Sequence, residues 1–186
     1  MTVEETYIKG CYVITPKVFE DERGYFLESF NKNGFEKETG LGIDFVQDNE
    51  SKSSKGVLRG LHIQTGQYEQ AKLVRVTKGK VMDVCVDLRP NSETFGKHFS
   101  IMLDDVHKQQ LFIPKGFAHG FLVLEDNTIF NYKCDQFYNK ASERGVIYND
   151  KILNIDWGWP EDQLIISDKD MNLPGFETFC RNEGIE

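Results

Sequence analysis

Residues 70–88 read QAKLVRVTKGKVMDVCVDL, and the fold class turns on this stretch. Two apolar runs, 71–78 and 80–88, are dense in β-branched side chains, with Val81, Val84, Val86 and Leu88 in the second. Such side chains suit a pleated, half-buried surface, so both runs predict strands. Lys78-Gly79-Lys80 between them predicts a hairpin turn. The same pattern continues outward in both directions. Upstream, 11–19 (CYVITPKVF) and 24–30 (GYFLESF) flank the charged turn Glu20-Asp21-Glu22-Arg23, and strand-like runs follow near 43–48 and 56–64. Downstream come 97–103, 109–113, 118–124 and 128–135. One helix is predicted at about 33–39, with Asn31 or Asn33 as its cap and Gly40 just past its end. Short strands every 8–12 residues or so point to a sandwich or barrel. After about residue 140 the pattern loosens into short helical turns, where Trp157 and Trp159 are expected to cover the barrel. The expectation is a mainly β chain with a few short helices.

No repeat, low-complexity tract or linker divides the 186 residues, which predicts one domain spanning 1–186. Hydrophobic residues make up 39% of the chain and aromatics 12%, so a packed core is affordable and disorder is excluded. Twenty-two basic against thirty acidic side chains leave a formal charge of −8. That balance argues against non-specific grip on nucleic acid or an anionic membrane. Taken alone, it also argues against phosphorylated ligands. The start, Met1-Thr2-Val3-Glu4-Glu5, has neither the basic region nor the apolar run of a secretory signal. No stretch approaches the roughly 18–20 apolar residues that span a bilayer. Cys11, Cys85, Cys134 and Cys180 are far apart and form no CxxC pair, so they read as reduced, mostly buried thiols. A cytoplasmic location is the resulting expectation.

Three clusters carry the chemistry-bearing residues. In GVLRGLHIQ (56–64), strand periodicity places Leu58, Gly60, His62 and Gln64 on one face and Val57, Arg59, Leu61 and Ile63 on the other. In QAKLVRV (70–76), Gln70, Lys72 and Val74 fall together. In PKGFAHGF (114–121), a Pro/Gly turn delivers His119 at a strand start. Each also has an ordinary reading. A strand histidine is most often a hydrogen-bonded core or surface residue, and Lys72 could run its stem along apolar surface with its ammonium in water. A metal reading also has to be weighed. His62-x-Gln64-xxxx-Glu69 with a later Pro114-x-Gly116-xx-His119 echoes a two-part barrel metal motif, but Gln64 stands where a second histidine is usual. An amide oxygen is a weak ligand for first-row metals. That leaves His62, Glu69 and His119 as donors, and metal is the weaker reading.

Taken together, the motifs are specific. FEDERGYFLESF (19–30), FVQDNESKSSKGVLRGLHIQ (45–64), QAKLVRVTKGKVMDVCVDLRPNSETFG (70–96), LFIPKGFAHGF (111–121) and SDKD (167–170) occur in one order and spacing. In these segments the chain closely resembles the dTDP-4-dehydrorhamnose 3,5-epimerase family of the cupin superfamily. The resemblance runs from about residue 5 to 175 and leaves 176–186 as a C-terminal tail. It implies a cupin-type jelly-roll barrel, a homodimer, no metal and no cofactor, and a dTDP-linked 4-keto-6-deoxyhexose as substrate in dTDP-L-rhamnose biosynthesis. It also implies roles for individual residues. His62 matches the general base, oriented by Asp170; Tyr132 matches the acid on the opposite face of the sugar; Lys72 matches the lysine beside the C4 carbonyl. Arg59 and His119 match sugar or diphosphate contacts, with Lys169 beside them. Arg23, Phe26, Glu28, Gln47 and Asn49 match nucleotide contacts, some of them made across the dimer, and Tyr138 and Glu143 match further ones. Ile155-Asp156-Trp157-Gly158-Trp159-Pro160 is one residue longer than the family's usual form, which puts the register of Asp170 against Asp168 in question.

These residue types suit that chemistry. A C4 ketone acidifies the protons on C3 and C5 through enolate resonance. Their removal calls for a base that titrates near neutrality, which imidazole does. A carboxylate on the other ring nitrogen sets the tautomer, and a cation near the enolate oxygen acts like an oxyanion hole. Inversion needs a second acid on the far face, and a phenol, with a usual pKa of about 10, is protonated at rest. Three rival readings share the motifs: epimerisation at C3 or C5 alone on a related nucleotide sugar, a 3,4-ketoisomerase, and a non-catalytic nucleotide-sugar binding cupin.

Overall fold

The computed structural model describes residues 1–185. Their strands are β1 (Thr2–Glu5), β2 (Tyr12–Thr15), β3 (Val18–Asp21), β4 (Gly24–Leu27), β5 (Gln47–Ser53), β6 (Leu58–Gln64) and β7 (Lys72–Lys78). They continue as β8 (Lys80–Asp87), β9 (His98–Asp104), β10 (Gln110–Ile113), β11 (Phe117–Val123), β12 (Thr128–Cys134) and β13 (Glu143–Gly145). Helix α1 (Lys32–Thr39) precedes β5, and α2 (Asp168–Met171) and α3 (Phe176–Glu183) close the chain. The strands form a six-stranded sheet, β1-β2-β10-β7-β12-β5, and a five-stranded sheet, β13-β6-β11-β8-β9. The hairpin β3–β4 joins neither. Every ladder pairing is antiparallel, so the mainly β jelly-roll expectation holds.

Alternation sorts the side chains into layers. On β8, Val81 and Cys85 join Val74, Leu111, Phe121 and Phe130 in the core between the sheets. Met82, Val84 and Val86 point the other way, into a second cluster with Leu58, Leu61 and Trp157. Phe176 and Phe179 of α3 belong to that cluster, so residues 176–183 form part of the barrel's cover rather than a loose tail. A third cluster sets Phe35 of α1 against Leu73 and Phe112. Full burial of a side chain such as Phe35 contributes on the order of 2–3 kcal/mol. Asn31 is the cap of α1, its Oδ1 accepting from the Gly34 amide at 3.0 Å, and Gly40 ends the helix in the left-handed conformation. All four cysteines are free thiols, three of them buried and Cys180 half-buried.

Four expectations need correction. Lys78-Gly79-Lys80 is not a hairpin turn, because β7 and β8 lie in different sheets and Gly79 turns the corner between them. Its φ of +81° and the closeness of Thr128 leave no room for a side chain. The strand expected at 43–48 lies instead at Gln47–Ser53. Ile43 and Phe45 pack as irregular chain against the α1 cluster, while the polar QDNESKS is recruited as a strand by pairing with β12. The run 11–19 is cut into β2 and β3 around Pro16, which has no N–H to give a ladder.

The fourth correction positions the site. On β11, His119 faces His62 and Phe121 faces Arg59, so two steps on β11 span three on β6. This bulge inserts a residue into β6 and reverses its alternation. Arg59 and His62, expected on opposite faces, therefore line the same cavity. Gly60 permits it with φ +125°; a Cβ there would lie 2.6 Å from Gly120 Cα and 2.8 Å from the His119 carbonyl. Gly60→Ala is expected to lose about 3 kcal/mol or more by clash and strain. Gly66→Ala, also left-handed but in open space, should lose only about 1–2 kcal/mol. Urea unfolding of both variants checks the difference.

Candidate active site

A cavity of about 330 Å³ opens between the two sheets. The five-stranded sheet supplies Arg59 and His62 from β6 and His119 from β11. The facing sheet supplies Ser51 from β5, Lys72 from β7 and Tyr132 from β12. Ser167, Lys169 and Asp170, at the start of α2, close one side.

His62 Nε2 lies 2.7 Å from Asp170 Oδ1, and the Gly60 amide donates to Asp170 Oδ2 at 3.3 Å. Ser167 caps α2 by accepting from the Asp170 amide, which aims this carboxylate inward. Of the two carboxylates at the start of α2, Asp170 is the one that meets His62: it is buried, whereas Asp168 is exposed. Burial pushes the Asp170 carboxyl up, but the bonds from His62 and Gly60 and the nearby Lys169 outweigh it and hold the group below its usual value.

A second His–Asp pair lies deeper. His119 Nε2 is 2.9 Å from Asp83 Oδ2, and both residues are buried. The His119 ring lies nearly parallel to Phe130 at 6.1 Å, and Phe130 stacks on Phe121 at 4.1 Å. Asp83 was not singled out from the sequence. Its signal was a lone carboxylate inside the buried run VMDVCV.

Lys72 does not carry its ammonium out to solvent. The residue is 9% exposed, and no carboxylate of the described residues comes within 4 Å of its nitrogen. Burial pushes its pKa down, against the opposing pull of Cys134, Asp83 and Glu143. Tyr132 is raised above the usual phenol value, chiefly by burial. Arg59 is tethered by Nε and Nη2 bonds to Ser53 Oγ at 3.3 and 3.2 Å.

The remaining residues divide between rim and exterior. Lys169 Nζ meets Glu143 Oε2 at 2.6 Å, and the Tyr138 hydroxyl donates to the same oxygen at 2.9 Å. Gln47 accepts from the Tyr138 amide and donates to Asn49 Oδ1 at 3.0 Å. Arg23, Phe26 and Glu28 are not brought to the cavity. Arg23 pairs with Asp21 within the β3–β4 hairpin, Phe26 is 68% exposed, and Glu28 accepts from Asn31. Nor do His62, Glu69 and His119 form a ligand set; among the described residues no three His, Cys, Asp or Glu side chains converge as metal ligands.

A jelly-roll barrel with two His–Asp pairs, a buried lysine and a phenol around one cavity places the chain among the cupin-type enzymes. The family model for dTDP-4-dehydrorhamnose 3,5-epimerase matches residues 5–178, and the chain belongs to that family. It is 52% identical over 172 residues to the Shigella flexneri dTDP-4-dehydrorhamnose 3,5-epimerase, covering 92% of this chain and 94% of that protein. The Elizabethkingia anophelis NUHP1 enzyme of the same name superposes with a TM-score of 0.92 at 56% identity, covering 96% and 97% of the two chains. A Legionella pneumophila Philadelphia 1 dTDP-6-deoxy-D-glucose-3,5-epimerase, solved with dTDP-4-keto-L-rhamnose, gives 0.91 at 45% identity over 95% and 93%. The chain is thus an epimerase of this family. Among the described residues no helix is long and apolar enough to cross a membrane.

The Asp170 environment has a pH signature. A carboxyl whose folded pKa is depressed stabilises the protein fully above its unfolded value, about 3.9 for aspartate, and this contribution is lost as pH falls through the folded value. Asp170→Asn is therefore expected to lower stability by about 1–2 kcal/mol at pH 6. Denaturant titrations at pH 6 and pH 3 should show the gap between wild type and variant narrowing at the acid end.

Proposed function

We propose that the protein inverts C3 and C5 of a dTDP-linked 4-keto-6-deoxy-D-glucose, giving dTDP-4-dehydro-L-rhamnose. The observation that carries this reading is the His62–Asp170 pair on one sheet with Tyr132 on the sheet facing it. A sugar ring between the sheets presents one face to the imidazole and the other to the phenol, as inversion requires.

The Asp170 carboxylate accepts from His62 Nε2, which leaves Nδ1 as the nitrogen able to take a proton. His62 Nδ1 removes the proton on the carbon next to the C4 ketone, and Asp170 stabilises the imidazolium that results. Electrons move onto the C4 oxygen. The Lys72 ammonium, whose charge is disfavoured by burial in the resting site, gains a counter-charge as the enolate forms. That interaction is stronger in the transition state than in the ground state, so it lowers the barrier. Tyr132, kept protonated by burial, delivers a proton to the opposite face of the same carbon. His62 then releases its proton to water and Tyr132 regains one from it, and repetition at the second carbon completes the double inversion. Arg59, tethered by Ser53, and the buried His119 hold the diphosphate and sugar; Lys169, Glu143 and Tyr138 line the entrance to the nucleotide subsite with Gln47 and Asn49.

Incubation of the dTDP-4-keto-6-deoxyglucose in D₂O should place deuterium at both C3 and C5. Label at one carbon would reject double inversion, and no label would reject proton transfer altogether. His62→Ala should bind the substrate yet lose exchange, by roughly 10²–10⁴-fold. Tyr132→Phe should impair inversion more than exchange, and equal loss of both would mean its role is misassigned.

The same reading includes a homodimer. Arg23, Phe26 and Glu28 lie on or just after a hairpin that joins neither sheet, and its Phe19, Tyr25 and Phe26 are 51%, 56% and 68% exposed. Exposed aromatics in such a cluster suit an interface, and in a dimer this hairpin carries the three residues to the partner's nucleotide subsite. Sedimentation equilibrium is expected to give twice the 21.5 kDa chain mass. A monomer active at the same concentration would refute the assignment.

A further inference from the structure

The chain between β12 and β13 is held by side chains. Residues 135–139 form neither strand nor helix, and Phe137 and Tyr138 at their centre are exposed, so apolar burial does little to fix them. Three consecutive amides donate to glutamine oxygens: Phe137 to the adjacent Gln136 at 2.9 Å, Tyr138 to Gln47 at 3.0 Å and Asn139 to Gln64 at 2.9 Å. At the start of the segment, Gln70 Nε2 donates to the Gln136 carbonyl at 2.8 Å. Of these four glutamines, Gln64 alone stands on the five-stranded sheet. It is buried on β6 two residues past His62, at the position where a barrel metal motif usually has its second histidine.

This segment forms the cavity's mouth. The Tyr138 hydroxyl donates to Glu143, which pairs with Lys169 of the cavity wall. Asn139, tied to Gln64 by its amide, uses its own Oδ1 to cap the turn at 140–142 that leads into β13 and Glu143. The Gln64 bond therefore sits between the two residues of the mouth and controls the approach to both. A backbone amide can only donate, so Gln64 meets it with Oε1. We propose that Gln64 is a positioning residue of the nucleotide subsite, fastening the Tyr138 segment to the strand that carries His62 so that the mouth is formed before the ligand arrives. Under the epimerase reading, on which this role rests, Tyr138 contacts the nucleotide. A segment only partly in its binding conformation lowers the apparent affinity by the populated fraction, and a ligand, once bound, restores it. Loss of the Gln64 bond is thus felt in KM and not in kcat.

The test is Gln64→Met in the full-length protein, which keeps the length of the side chain and removes the acceptor. Calorimetry with dTDP should show about tenfold weaker binding, the value of one hydrogen bond. KM for the 4-keto sugar should rise alike, with kcat within about twofold of wild type. Hydrogen exchange of the 137–139 amides should quicken in the variant and slow again with dTDP bound. In a Tyr138→Ala background, Gln64→Met should weaken dTDP binding by less than about twofold further, because the group it positions is gone. Equal penalties in the two backgrounds, or a fall in kcat at unchanged KM, would overturn the assignment in favour of a merely structural glutamine. If Gln64→Met does not fold, Gln70→Met, which frees the same segment at the Gln136 carbonyl, decides by the same readings. Wild type that binds dTDP no more tightly than the variant rejects the Gln64 role alone, whereas no binding of dTDP by wild type rejects both this role and the nucleotide-sugar reading of the site.

Discussion

The Asp170 carboxylate makes two bonds to one strand, and the architecture of the site hangs on them. One oxygen takes His62 Nε2 and the other takes the amide of Gly60, where β6 is bulged. The partners are 108 and 110 residues away in the chain, so the short helix α2 is tied to β6 across a long stretch of sequence. The same group thus stabilises the irregular backbone and orients the imidazole that the backbone displays. It can do this because α2 begins at a capping serine that fixes where the third residue points.

The bulge itself depends on close backbone approach. Gly60 and Gly120 sit where any Cβ would strike the opposite chain, at 2.6 Å from one side and 2.7 Å from the other. This pairing lets β6 carry an extra residue and brings Arg59 to the side of His62. Without it, the guanidinium and the imidazole would fall on opposite faces of the strand, and the cavity would lose a cation. The sheet is locally irregular where it displays chemistry and regular elsewhere, as strands beside active sites often are.

Electrostatics follow the same local logic. A chain of net charge −8 is a poor match for a doubly anionic diphosphate when judged by its total charge. The cavity nevertheless gathers Arg59, Lys72 and Lys169, whereas surface carboxylates beyond the Debye length of about 8 Å at physiological salt are screened. Lys72 differs from the other two in its burial, which disfavours the charged ammonium. The acidic balance bears on solubility and on rejection of extended polyanions, and says little about one small anion in one pocket.

The sequence by itself determined the class of fold, since period-two alternation and β-branched runs are local properties that each strand carries within itself. It also singled out His62, Lys72 and His119 within short local clusters, whereas Tyr132 and Asp170 were marked only through the resemblance of the combined motifs to a family. What only the tertiary structure decided are the features made by distant partners. QDNESKS has no strand character of its own and becomes β5 by pairing with β12. Gly79 turns a corner rather than a hairpin because β7 and β8 find partners in different sheets. Asp83 gains its meaning from burial beside His119, which no spacing along the chain could report. Arg59 shares a cavity with His62 because a β-bulge counts residues against a neighbouring strand, and that count does not exist until the two strands meet.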